Sequence, residues 1–111
     1  MNNKQQELYR LVDIAIECCD IDFNNTHTVT KELLLSSNRK ECLVMSRCVL
    51  VALITHCGYS TSTAAVVLNR TEPEIRKLRS KSFDYNKQSK AYRIALAEAI
   101  LKANNEKLDN N

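Results

Sequence analysis

Apolar residues recur at helical rather than alternating spacing along most of the chain, and local stop signals cut that pattern into segments. Residues 3–19 place Leu8, Leu11, Val12, Ala15, Cys18 and Cys19 on one stripe, with Asp13, Glu17 and Asp20 on the other side. The pattern breaks from Ile21 to Thr28, where Asn24-Asn25-Thr26 reads as a loop. Thr28 or Thr30 can then cap a short helix through Leu35 that buries Leu33 and Leu34. Ser36-Ser37-Asn38-Arg39-Lys40 is a polar, basic connection. From Glu41 to Cys57, apolar residues cover most of the helix circumference. Leu43, Val44, Cys48, Val51, Ala52 and Thr55 are available for burial, so the segment predicts a central helix packed on several sides.

The next stretch holds the only glycine and the only proline of the chain. Gly58 follows the apolar run from Cys48 to Ile54, where a residue of positive φ would end a helix. Ser60 can cap a short helix through Leu68 with Ala64, Ala65, Val67 and Leu68 inward, and Asn69 supplies a second stop. Thr71-Glu72-Pro73-Glu74 has capping-box spacing, with Pro73 in the first turn, where its missing N–H has no helical partner to lose. Winding the next helix at 3.6 residues per turn turns Ile75, Leu78 and Ser82 inward and Pro73, Arg76, Lys77 and Ser80 outward, flanked by Arg79 and Lys81. Short helix, tight turn and basic helix over about residues 60–82 make a helix-turn-helix. Phe83-Asp84-Tyr85 then interrupts the pattern, and Asp84 or Asn86 is the next cap. A last helix over about residues 86–104 carries Tyr92, Leu96, Ala99, Ile100 and Ala103, and residues 105–111 read as a frayed polar tail. The fold expected is all-α: one compact domain over residues 1–111, a bundle of five or six helices.

Composition sharpens this picture. The chain has 111 residues, 44% of them apolar, which suffices for one core without disulfide or metal staples. Charge is uneven: residues 1–35 hold three basic and six acidic groups, whereas residues 36–83 hold eight basic and three acidic, a local excess of +5. The middle of the chain is therefore the candidate for polyanion contact. Met1-Asn2-Asn3-Lys4 leads into an amphipathic helix rather than an apolar leader, and the longest apolar run is too short to span a bilayer, so the chain reads as cytoplasmic with no membrane partner. Cys18, Cys19, Cys42, Cys48 and Cys57 include no C-x-x-C pair, and the histidines are His27 and His56. Reduced cysteines acting as small hydrophobes are expected, with no metal and no cofactor; Cys57 with His56 is the only alternative ligand pair. No clustered nucleophile and base and no glycine-rich phosphate loop argue for an enzyme.

From about Arg39 to Arg79 the chain resembles the C-terminal DNA-binding domain of the bacterial replication initiator, the DnaA family. The likeness lies in the basic loop Ser36-Ser37-Asn38-Arg39-Lys40 leading into a long helix, and in Ser46-Arg47-Cys48 at an Ala-Arg-Gln-like step. Ser60-Thr61-Ser62-Thr63-Ala64-Ala65 corresponds to the family's S-L-x-E-I-G helix, with Thr63 at its glutamate and Ala65 at its glycine position, and is followed by Arg70. Cys18-Cys19-Asp20-Ile21 and Lys31-Glu32-Leu33-Leu34-Leu35-Ser36 are similar to the family's opening helix and its short helix. The resemblance implies a Trp-repressor-like helical fold, a bacterial source and a role in DNA replication. Thr71-Glu72-Pro73-Glu74 stands where the family carries its base-reading D-H-[ST]-T signature, and no P-loop is present.

The function expected is therefore duplex-DNA binding with the helix from Glu72 to Ser82 in the major groove. On the resemblance, Arg39 and Lys40 contact backbone or minor groove, and Arg47 and Arg70 hold phosphates. Thr71, Glu72 and Pro73 occupy the reading end, and Arg76, Lys77 and Ser80 face bases or backbone. For Arg47 a buried or half-buried salt bridge is the alternative. For the whole chain the alternative is an adaptor that uses the helical core to bind a protein partner, favoured by Glu72, Glu74 and a net charge of only +3.

Overall fold

The computed structural model describes residues 3–20 and 29–109, with the side chains of residues 107–109 excepted. The expected loop at Asn24-Asn25-Thr26, the alternative cap Thr28 and His27 lie outside the described residues. Six helices and no strand are found among those described: α1 (Asn3–Cys19), α2 (Lys31–Leu35), α3 (Glu41–His56), α4 (Thr61–Leu68), α5 (Glu72–Gln88) and α6 (Lys90–Asp109).

Helix α3 is the axle. It packs against each of the other five helices. Cys48, Val49, Leu50, Val51, Leu53 and Ile54 are consecutive or nearly so and all buried, which is possible only for a helix covered on several sides. Around it close the inner stripes of α1 (Leu8, Leu11, Val12, Ala15, Cys18, Cys19) and of α6 (Tyr92, Ala95, Ala99, Ala103). Two ion pairs, Arg10 with Glu106 at 3.2 Å and Lys102 with Glu17, run between α1 and α6 on the outside of that seam. The result measures 35 × 27 × 25 Å.

The caps fall where the sequence puts them. The Thr30 side chain accepts from the Leu33 amide, Ser60 from Thr63, and Thr71 from Glu74, whose carboxylate completes the capping box on the Thr71 amide. Gly58 has φ +93° and Asn69 φ +54°. Both turns close alike: the Tyr59 amide donates to the Ile54 carbonyl across Gly58, and the Arg70 amide to the Ala65 carbonyl across Asn69. A Cβ at Gly58 would meet no atom within 4 Å, so only backbone strain opposes a side chain there. Gly58→Val is expected to cost roughly 1 kcal/mol or more, readable as a lowered melting temperature, whereas an unchanged melt would remove the strain argument.

The C-terminal third differs from the reading of the sequence. No break occurs at Phe83-Asp84-Tyr85; α5 continues to Gln88, and Ser89 rather than Asp84 or Asn86 caps α6 by accepting from the Tyr92 amide at 3.1 Å. The reason is the α5–α6 seam. Ser82 is buried and hydrogen-bonded to the Tyr92 hydroxyl, and the Tyr85 and Tyr92 rings lie 5.5 Å apart, so Tyr85 has to stay in helical register with Ser82. Phe83 and Asp84 merely fall on the outer side. Residues 105–109, expected to fray, extend α6.

The core also holds protons. Burial pushes the Cys48 thiol up to about 12, burial and then the hydrogen bond to Glu7 push Tyr59 up to about 12, and burial raises Tyr92. Each group binds its proton more tightly folded than unfolded. Their contribution is complete below the ordinary values of 9.0 for the thiol and 10.0 for the phenols, and is lost as pH climbs towards 12. Urea melts are expected to show stability falling between pH 9 and pH 11; equal midpoints would contradict this.

Candidate nucleic-acid interface

Helices α4 and α5 pack against each other through the Asn69–Thr71 turn, with Ala64, Ala65 and Leu68 of α4 and Ile75 of α5 buried. This is the expected helix-turn-helix. It leaves Pro73, Arg76, Lys77 and Ser80 of α5 exposed, together with Arg79 and Lys81, while Ile75 and Ser82 are buried and Leu78 is half-buried. Arg39 and Lys40, in the loop between α2 and α3, are exposed as well.

The structure brings the loop and α5 to one place. An open groove of about 650 Å³ is lined by Ser37 and Arg39 from the loop, Val44 and Arg47 from α3, Asn69 and Arg70 from the turn, and Glu74, Lys77 and Lys81 from α5. Lys81, which the sequence placed only on the flank, belongs to this groove. Arg79 does not: it lines a different hollow with His56, Phe83 and Leu96. Lys40, Arg76 and Ser80 are exposed but do not line the groove.

Arg47 and Arg70, expected to hold phosphates, are engaged by the protein's own backbone. Arg47 is 4% exposed, and among the described residues it does not form the alternative salt bridge. Its Nε donates to the Leu34 carbonyl at 2.8 Å, and its Nη2 donates to the carbonyls of Leu33 at 2.9 Å and Ser36 at 3.0 Å. Burial, and then the charge of Arg70, lower its pKa from the ordinary guanidinium value, yet a guanidinium stays charged at neutral pH. Arg70 is engaged in the same way, with its side chain 18% exposed. It donates to the carbonyls of Leu35 at 3.2 Å, Leu68 at 3.0 Å and Ser36. From the wall of the groove, both arginines thus donate to the carbonyls at the C-terminus of α2.

The two carboxylates at the start of α5 are also engaged. Glu74 accepts from the Thr71 amide at 3.3 Å and lies 3.9 Å from Arg70, while Glu72 accepts from the Thr61 hydroxyl at 3.4 Å. Thr71 spends its hydroxyl on the cap. Thr71, Glu72 and Glu74 therefore build the turn, and of the residues expected at the reading end only Pro73 contributes no polar side chain. In and beside the groove, the exposed cations of the loop and α5 are Arg39, Lys40, Arg76, Lys77 and Lys81, with Arg79 exposed on the other flank of α5.

Of the cysteines, Cys18, Cys19 and Cys48 are buried and Cys42 and Cys57 half-buried. No group of three or more His, Cys, Asp or Glu side chains is placed to hold a metal among the described residues. Labelling by a thiol reagent is expected at Cys42 and Cys57 in the native protein and at all five cysteines in denaturant; native labelling of Cys48 would contradict its burial.

A second concavity, apolar and of about 330 Å³, lies between α1, α2 and α4, lined by Leu8, Tyr9, Val12, Leu34, Val66 and Val67 among others. Tyr9 and Val66 are exposed beside it, Val66 to 82%. No helix among the described residues is long and apolar enough to cross a membrane. No protein-family model, curated protein or solved structure matches this chain.

Proposed function

We propose that the protein binds duplex DNA, presenting α5 to the major groove and the loop before α3 to the adjoining backbone. The observation that carries this reading is the shared groove in which Arg39 of the loop faces Lys77 and Lys81 of α5, next to a helix-turn-helix. Arg39, Lys40, Arg76, Lys77 and Lys81 bind phosphates, Ser80 and Pro73 on the exposed face of α5 meet the floor of the DNA major groove, and Arg47 and Arg70 hold the scaffold. The resemblance to the replication initiator's DNA-binding domain supports the same orientation. With Thr71 and both glutamates engaged in the turn, the family's base-reading chemistry has no counterpart here, so binding is governed by phosphates and shows little preference for an origin sequence.

The test is binding to mixed-sequence duplex DNA across a salt series. Four or five phosphate contacts imply a log–log slope of about −4, at roughly −0.9 per contact. A chain that leaves duplex DNA unbound even at low salt would refute the reading. The second reading, a protein-binding adaptor, then takes its place, because the apolar concavity beside Tyr9 and Val66 offers a contact surface on the side formed by α1, α2 and α4.

A further inference from the structure

The α2 helix is only five residues long, and its end is held by side chains from far along the chain. Four successive carbonyls, those of Leu33, Leu34, Leu35 and Ser36, all accept from Arg47 or Arg70. The Ser36 carbonyl takes both arginines at once. Arg47 comes from the middle of α3, and Arg70 from the turn of the helix-turn-helix, 34 residues beyond Ser36. Arg70 in turn donates to Leu68 at the end of α4 and faces Glu74 in the first turn of α5. Directly after this junction the chain runs into the basic loop. There the Asn38 amide donates to Ser36 Oγ at 3.2 Å and the Lys40 amide to Asn38 Oδ1 at 2.9 Å.

We infer that Arg70, with Arg47 beneath it, is a positioning residue that locks the basic loop to the helix-turn-helix, so that Arg39 and Lys40 address the same polyanion as α5. A guanidinium is suited to this because its planar fork of donors reaches several carbonyls together, which a lysine ammonium on a flexible stem does not reproduce. A loop fixed in this way contributes its two charges without the ordering cost of a free segment. This inference rests on the DNA-binding reading, but the lock itself can be read without DNA.

Arg70→Lys keeps the charge and removes the fork. Were Arg70 a phosphate contact, lysine would serve. As a positioning residue its loss should release Arg39 and Lys40, moving the salt slope from about −4 to about −2, at roughly −0.9 per contact. Adding Arg70→Lys to Arg39→Ala/Lys40→Ala should then lower affinity no further. Ser37→Gly/Asn38→Gly loosens the exposed loop without touching the core, and should weaken the slope as Arg70→Lys does. An unchanged slope in Arg70→Lys, full additivity with the loop alanines, or normal binding by the double glycine variant would each overturn the inference. In the free protein, Arg70→Lys should speed hydrogen exchange at the Asn38 and Lys40 amides, and unchanged exchange would overturn the lock. If the wild-type protein binds no duplex while exchange does quicken, the lock stands as architecture and the DNA-binding reading alone has failed.

Discussion

Arg47→Ala is expected to be the most damaging single substitution on the helix-turn-helix side of the molecule. The side chain is 4% exposed and gives charge-assisted hydrogen bonds to three backbone carbonyls. Truncation leaves the Leu34 carbonyl without its donor, takes one donor from the Leu33 and Ser36 carbonyls, opens a void along α3, and removes the packed stem of the arginine. Net contributions of about 1.5–3 kcal/mol for a hydrogen bond to a charged group, together with the void, place the loss at roughly 3–5 kcal/mol. At about 4–8 °C per kcal/mol for a domain of this order of size, the melting temperature should fall by more than about 10 °C. Arg47→Met, which keeps the stem and not the donors, should lose somewhat less. A thermal melt of either variant within about 2 °C of wild type would mean that the three carbonyls find other partners, water included.

That expectation could not have been read from the sequence, and the reason is physical. Capping is local: Ser60 with Thr63, Thr71 with Glu74, and the positive-φ turns at Gly58 and Asn69 involve residues three to five positions apart, so residue type and spacing reveal them. Arg47 and Arg70 act across 11 to 35 positions, on backbone carbonyls that carry no residue signature. From the sequence, a charge in a long apolar helix suggests an ion pair or an outward contact; a third possibility, the open end of a neighbouring helix, depends on where α2 stops in space. The same distinction explains the C-terminal third. Phe83-Asp84-Tyr85 looks like an interruption because Phe83 departs from the inner stripe, but a single exposed aromatic does not break a helix, and the seam formed by Ser82, Tyr85 and Tyr92 requires α5 to continue. The true stop, Ser89, has the cap chemistry that the sequence offered at several nearby positions.

The candidate surface was legible in the same uneven way. Winding α5 separated Arg76, Lys77 and Ser80 from Ile75 and Leu78 correctly, because one helix face is a matter of period alone. It could not say that Lys81 shares a groove with Arg39 while Arg79 turns towards His56 and Phe83. Nor could it say that Glu72 and Glu74, which taken alone would repel a phosphate, are held by Thr61, Thr71 and Arg70. Engaged carboxylates at a helix N-terminus stabilise the helix through its dipole and soften the field they would otherwise send towards a polyanion.

The largest functional effect should therefore come from the outward cations of α5. Arg76→Glu/Lys77→Glu reverses two exposed charges on a helix whose buried contacts come from Ile75, Leu78 and Ser82. The melting temperature should hardly move, since exposed charges contribute little to stability. Binding should change far more. Two lost phosphate contacts take the slope from about −4 to about −2, and near 0.1 M salt the missing counterion release alone corresponds to roughly 50-fold weaker affinity. Two new carboxylates facing the backbone would deepen the loss, because like charges are brought together where opposite ones stood. Lys87→Glu/Lys90→Glu, at the exposed junction of α5 and α6 and away from the groove, reverses the same number of charges; this matched control should leave both slope and affinity within about twofold, since it neutralises no phosphate. Equal losses in the control and in the α5 variant would show that only net charge matters. Retained binding in the α5 variant would place the DNA contact elsewhere on the molecule, and α5 would then be a solvated face of the bundle.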